Sequence, residues 1–131
     1  MKQPKGTVSN HQWVYRALQA AGAPLTAYQV LDAVRRHGIS APPTVYRALN
    51  RLVGEGLAHR LESINAYVAC AEPQHRHRAA AFAICSDCGT IAEMVDPEML
   101  KRLQARATRR GFKINDTTIE LRGHCADCQQ R

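Results

Sequence analysis

Long apolar runs are missing from this 131-residue sequence, in which no stretch approaches the roughly 18 apolar residues of a transmembrane helix. Residues 1–6 (MKQPKG) also lack the apolar core of a secretory signal peptide. Aromatic residues make up only 5% of the chain, and a half-chain of about 50 residues buries little core on its own. We therefore expect a cytoplasmic protein that a bound metal or a second subunit stabilises.

Catalytic motifs are also missing. The sequence has no serine–histidine–acid set, no phosphate-binding glycine loop and no paired carboxylates, which argues against an enzyme. Acidic residues number 11 against 18 lysines and arginines, so the formal net charge is +7. Zinc held by four thiolates would add a net −2 and leave about +5. This balance favours an acidic partner, double-stranded DNA, and indicates neither a membrane nor a small-molecule substrate.

Two Cys-x-x-Cys pairs predict a structural zinc site. Each pair places two thiols on one tight turn, and two such turns complete the sulfur tetrahedron that zinc prefers. Disulfides or a thiol-redox pair are the alternatives, but a redox pair needs an exposed, reactive thiol, whereas zinc would hold all four. The fifth cysteine, Cys70, stands apart from this quartet. The predicted ligands are Cys85, Cys88, Cys125 and Cys128.

The first half of the sequence predicts three helices and a hairpin. Capping-box spacing at Ser9 and again at Thr26 starts two helices, each with apolar residues at helical period. The proline pair at 42–43 starts a third. Two alternating segments, residues 57–61 and 66–70, then form a hairpin. These are the elements of a winged helix-turn-helix, whose last helix enters the major groove of DNA.

One face of the third helix carries groups suited to DNA. Arginine reads guanine edges and also clamps phosphates, and the sequence does not separate these roles. A solvated polar face is the alternative, but the three-helix context and the basic balance favour DNA. In the second helix, Tyr28 is a candidate phosphate contact, with partial burial as the alternative. The candidate DNA-binding residues are Tyr28, Thr44, Tyr46, Arg47, Asn50 and Arg51.

The second half predicts a β-β-α-β unit that zinc holds together. Residues 79–84 and 90–95 form a hairpin around the first Cys pair, and Asp96 caps the following helix. The last strand runs over residues 112–121, with a bulge near 115–116 because its apolar parity changes there. So small a sheet leaves an open edge, so we expect a homodimer.

These elements define the fold class as α+β. We expect an N-terminal winged helix-turn-helix domain over residues 1–72 and a connector over residues 73–79. A small α/β dimerisation domain, stapled by the four-cysteine zinc site, follows over residues 80–131.

A second group of potential metal ligands lies around the junction of the two halves. The hairpin turn brings His59 and Cys70 to nearly facing positions, where cross-strand Cβ atoms lie roughly 5–8 Å apart. The connector supplies His75 and His77, and the strand after the first Cys pair supplies Glu93. Two histidines, a thiolate and a carboxylate suit zinc, and the thiolate argues against manganese and, less firmly, against ferrous iron. Ordinary surface or core positions are the alternative for each residue.

Four motifs in this order resemble the ferric-uptake-regulator family of dimeric, metal-sensing bacterial repressors. They are PPTVYRAL at 42–49, the wing at 57–70, ICSDCG at 84–89 and IELRGHCADC at 119–128. Within the family the chain is most similar to the zinc-uptake regulators. The sensor ligands of that branch correspond to His59, Cys70, His77 and Glu93. Its DNA-contacting tyrosine and arginine correspond to Tyr28 and Arg47.

The resemblance implies a zinc-responsive repressor of zinc-uptake genes, active as a homodimer on palindromic operators with two zinc ions per monomer, one structural and one regulatory. The iron- and peroxide-sensing branches are the alternative. Those branches often place a histidine just before the second helix, where residues 23–25 read Ala-Pro-Leu, and this difference favours zinc. The connector is spaced one residue differently from the zinc-sensor pattern, so His75 is an alternative ligand to His77.

Overall fold

The computed structural model describes residues 8–70, 79–94, 96–115 and 117–130. The chain divides into two compact units, residues 1–73 and 74–131. Each unit has a sheet of its own, with two strands in the first and three in the second. The α+β class expected from the sequence is confirmed.

The first unit is a winged helix whose helices begin where the capping signals predict. They are α1 (Asn10–Ala21), α2 (Ala27–Val34) and α3 (Pro42–Gly54). Both capping boxes are formed, and the Thr26 hydroxyl accepts a 3.2 Å hydrogen bond from the Gln29 amide. A 3₁₀ turn extends α2 to Gly38, whose φ of 86° lies in the left-handed region that glycine tolerates best.

The wing is a short antiparallel hairpin of β1 (Ala58–Leu61) and β2 (Ala66–Ala69). Backbone hydrogen bonds of 2.7 and 2.8 Å between Leu25 and Tyr67 join it to the chain ahead of α2. One apolar core underlies the three helices and the hairpin. Its fully enclosed side chains include Val14, Val30, Val45, Leu49 and Leu52.

The second unit contains β3 (Ala79–Cys85), β4 (Ile91–Met94), α4 (Pro97–Arg109), β5 (Thr117–Gly123) and α5 (Ala126–Gln129). The strand order is β4-β3-β5, with β3 antiparallel to β4 and parallel to β5. Phe82 on the central strand is fully buried, and Leu100 is the buried residue of α4. Asp96 caps α4 by accepting a 3.1 Å hydrogen bond from the Met99 amide.

The structure corrects the sequence prediction for the last strand. We expected it to begin at Phe112, but β5 begins at Thr117. Phe112 and Ile114 lie ahead of it and are 64% and 36% exposed, so they impose no parity on the strand. The predicted bulge falls partly on Asp116, which lies outside the described residues.

The four-residue helix α5 was not predicted, because a single turn is too short to show a helical apolar period. Across the described residues, every helix falls short of the length and apolar content that a membrane span requires.

Candidate metal and DNA-binding sites

The four quartet thiols lie together at one end of the three-stranded sheet. Their sulfur atoms are all within 4.8 Å of one another, and the Sγ atoms of Cys88 and Cys125 are 3.8 Å apart. A tetrahedral zinc ion with Zn–S bonds of about 2.3 Å requires sulfur–sulfur edges of about 3.8 Å. The spacing and chemistry of these four residues therefore fit zinc.

Strand pairing positions the two Cys-x-x-Cys turns side by side. Because β3 and β5 run parallel and in register, Cys85 at the end of one strand lies opposite Gly123 at the end of the other. The Ser86 amide then donates a 2.8 Å hydrogen bond to the Gly123 carbonyl. Gly89 closes the first turn with a φ of 78°, a conformation that other residues adopt only with strain.

The thiols of the quartet differ in acidity. The backbone amide of Cys125 donates to the Cys85 sulfur at 3.4 Å, and this bond, with others from the first turn, lowers the pKa of Cys85 to about 6. The Thr90 hydroxyl, 3.0 Å from the Cys88 sulfur, lowers the pKa of Cys88. Contact with the Cys125 thiol, and then burial, raise the pKa of Cys128. A cation is therefore needed before all four thiols ionise together.

The sequence analysis missed a hydrogen bond that joins the two Cys turns. Nδ1 of His124 lies 2.9 Å from a carboxylate oxygen of Asp87, with both side chains more than half exposed. Asp87 lies inside the first Cys pair, and His124 immediately precedes the second. Their positions beside predicted ligands were the only sequence signal for this contact.

In the wing, a histidine and a cysteine lie on the same face of the hairpin. His59 pairs with Val68, and Cys70 follows two residues later, so His59 and Cys70 are diagonal cross-strand neighbours. A ring nitrogen of His59 and the Cys70 sulfur lie within 4.8 Å of each other. Cys70 is buried and Nε2 of His59 is screened from solvent. An imidazole and a thiol at this spacing can both bind one zinc ion.

The other predicted sensor ligands lie elsewhere along the chain. Glu93 is a half-buried residue of β4, in the second unit, and pairs with Phe82 on β3. His75 and His77 lie outside the described residues, so their assignment as ligands stays a prediction from the sequence.

The exposed face of α3 carries the predicted DNA-binding residues. Its opposite face is buried through Val45, Ala48, Leu49 and Leu52, and Thr44 is half-buried while the other candidates on this helix are exposed. Tyr28, at the start of α2, is 65% exposed.

The two arginines of this face have different partners within α3. The Arg51 guanidinium is 3.3 Å from the Glu55 carboxylate. The Arg47 guanidinium has only a long 3.5 Å contact with the Thr44 hydroxyl. Arg47 is therefore the arginine of α3 that gives up least when it contacts DNA.

A winged helix and a four-thiol cluster within one chain define a class of metal-containing, winged-helix proteins. A model of the "Ferric uptake regulator family" matches residues 9–122. The zinc uptake regulation protein of Escherichia coli (strain K12) is 37% identical over 117 residues, which cover 88% of this chain and 68% of that protein. This chain belongs to the ferric uptake regulator family.

Solved structures agree with this assignment. The crystal structure of holo XcZur is 40% identical with a TM-score of 0.86, and the alignment covers 95% of this chain and 86% of that one. A zinc uptake regulator complexed with zinc and DNA is 31% identical, also with a TM-score of 0.86, over 94% of this chain and 83% of that one.

Proposed function

We propose that this protein is a zinc-responsive transcriptional repressor that binds double-stranded operator DNA and controls genes for zinc uptake. Its relatives in the family include zinc uptake regulation proteins, one of them solved with zinc and DNA. It acts on the chromosome, in the cytoplasm, and its chemistry is binding rather than catalysis.

The observation that carries the proposal is the His59–Cys70 pair in the wing. These two potential zinc ligands belong to the same unit as α3, the helix with the DNA-binding face. Zinc held by the pair is therefore attached directly to the part of the molecule that binds DNA.

The regulatory zinc site that we propose consists of His59, Cys70, His77 and Glu93, with His75 as the alternative to His77. The first two belong to the winged helix, and Glu93 belongs to the other unit. A metal ion that binds ligands from both units restricts their relative motion. Zinc then favours the arrangement that binds the operator, and DNA favours zinc binding by the same factor.

The quartet is the structural site in this proposal. Cys85, Cys88, Cys125 and Cys128 bind a second zinc ion, giving two per chain. Because such a site does not exist in the unfolded chain, the free energy of binding this zinc contributes directly to the stability of the second unit.

A homodimer completes the proposal. Both β4 and β5 are edge strands within the described sheet, and Leu103, Phe112 and Leu121 of the same unit are 48%, 64% and 54% exposed. Pairing with a second copy would cover apolar surface of this kind. It would also present two α3 helices to a palindromic operator.

Metal-dependent DNA binding tests this function. The chelated protein, with its structural zinc retained, is titrated with buffered zinc or with ferrous iron in the presence of an operator duplex selected from a random pool. We expect zinc to restore operator binding at lower free concentrations than ferrous iron, and peroxide to leave the zinc-restored binding intact. Restoration by iron alone, or its abolition by peroxide, would assign the protein to the iron- or peroxide-sensing branch.

A further inference from the structure

A run of positive charge occupies α4 and the turn that follows it. Residues 101–113 contain six of the chain's 18 lysines and arginines and no aspartate or glutamate. The rest of residues 74–131 contains four lysines and arginines against seven acidic residues. The second unit therefore concentrates its positive charge in one segment. The six residues are Lys101, Arg102, Arg106, Arg109, Arg110 and Lys113.

Three of these arginines form a continuous stripe on the outer side of α4. Arg102, Arg106 and Arg109 follow one another at helical spacings of four and three residues, and all three are exposed. Leu100 is buried on the side that faces the sheet. The stripe is about 10 Å long at 1.5 Å per residue, which matches roughly three phosphates along one DNA strand at 3.4 Å each.

Among the described residues, no ion pair neutralises the stripe. The ion pairs seen elsewhere in the described chain use Asp32, Glu55 and Asp87, and none of these belongs to α4. An ordinary solvated helix face alternates the sign of its charges and gains stability from opposite charges four residues apart. Here Arg102 and Arg106 repel each other at that spacing, as do Arg106 and Arg110.

The helix dipole explains only part of this distribution. Cations in the last turn are stabilised by the negative end of the helix, which accounts for Arg106 and Arg109. Lys101 and Arg102 lie near the opposite, positive end, where the dipole offers a cation nothing. A polyanionic partner accounts for all six charges.

We propose that the outer face of α4 is a second DNA-binding surface, which contacts the phosphate backbone of double-stranded DNA without reading its sequence. Guanidinium groups pair with phosphate in a bidentate geometry. Base readout would also call for amide side chains, and the one glutamine of α4, Gln104, is half-buried and bonded to Thr117 at 3.0 Å. The surface is distinct from α3 and does not depend on zinc sensing.

Salt-dependent binding of a duplex that lacks any operator tests this proposal. We compare three zinc-loaded, full-length proteins: the wild type, Arg102→Gln/Arg106→Gln/Arg109→Gln, and the charge-preserving control Arg102→Lys/Arg106→Lys/Arg109→Lys. Fluorescence anisotropy gives the slope of log K against log[salt], which counts the phosphates that are neutralised. Circular dichroism and zinc content establish that all three proteins are folded alike.

The glutamine protein should lose about 2.7 from the magnitude of the slope for each protomer bound, at roughly 0.9 per lost phosphate contact, while the lysine protein keeps the wild-type slope. Equal slopes in all three proteins would overturn the proposal, and this is also the result if the stripe serves an acidic protein instead. Equal losses in the lysine and glutamine proteins would overturn it too, since the effect would then not follow from charge.

Discussion

At the scale of single residues, the five cysteines belong to two different environments. Four lie within 4.8 Å of one another at one end of the three-stranded sheet. Cys70 is buried at the end of the wing, beside His59. Their shared residue type hides this division, which in our account separates a stabilising metal from a regulatory one.

Replacing Cys70 with serine should remove one zinc ion and leave the other in place. A neutral hydroxyl is a much weaker zinc ligand than a thiolate, whereas the quartet is untouched by the change. Elemental analysis of the purified Cys70→Ser protein should therefore give one zinc per chain against two for the wild type. His37→Gln is the matched control, because that histidine stacks on Trp13 away from both clusters, and it should keep two. Equal zinc contents in all three proteins would show that Cys70 is not a ligand.

The acidities of the quartet predict how its zinc affinity depends on pH. Because the pKa of Cys128 is raised, this thiol is protonated in the metal-free protein at neutral pH, and zinc must displace its proton. Affinity should fall as the pH is lowered, and more steeply below about 6, where Cys85 also takes up a proton. Competition with a chromogenic chelator, using the Cys70→Ser protein so that only the quartet is observed, measures this. An affinity independent of pH would contradict the assigned protonation states.

At the scale of secondary structure, the sequence predicted elements best where a local hydrogen bond defines their start. Thr26 with Gln29 marks the start of α2, and Asp96 with Pro97 marks that of α4, because each uses a side chain to satisfy backbone groups of the first turn. The start of β5 was predicted wrongly, since the alternating residues Phe112 and Ile114 suggested a strand where the chain forms none.

Helix α3 should carry most of the DNA affinity of the first unit, with Arg47 as its main contact. Arg47→Ala should weaken operator binding by about 1–3 kcal/mol, the usual range for one specific arginine contact. Arg16→Ala removes the same charge from α1, where the guanidinium lies over the Trp13 ring at 5.2 Å, and should have a smaller effect. Anisotropy titrations at one fixed salt concentration compare the two. A larger loss for Arg16→Ala would place the interface elsewhere on this unit.

At the scale of the whole molecule, the candidate sites were predictable to different degrees. The quartet follows from sequence spacing, because a Cys-x-x-Cys turn brings its two sulfurs together by itself. The His59–Cys70 pair depends on hairpin register, which the sequence indicated only to within a residue or two. The Asp87–His124 contact depends on the parallel pairing of β3 with β5 across 36 residues of chain, and no local pattern encodes that pairing.

The central claim concerns coupling between zinc in the wing and DNA on α3. By thermodynamic linkage, zinc at the regulatory site should raise operator affinity by roughly 5- to 150-fold, which corresponds to a coupling free energy of about 1–3 kcal/mol. The structural zinc takes no part in this change, because it is bound at all physiological zinc concentrations in our account.

Operator affinity across a buffered zinc titration, for the wild type and for Cys70→Ser, measures this coupling directly. The account predicts that wild-type affinity rises as zinc fills the second site, and that the Cys70→Ser protein keeps a low affinity throughout while retaining its quartet zinc. Equal operator affinity of the wild type with and without the second zinc would contradict the account.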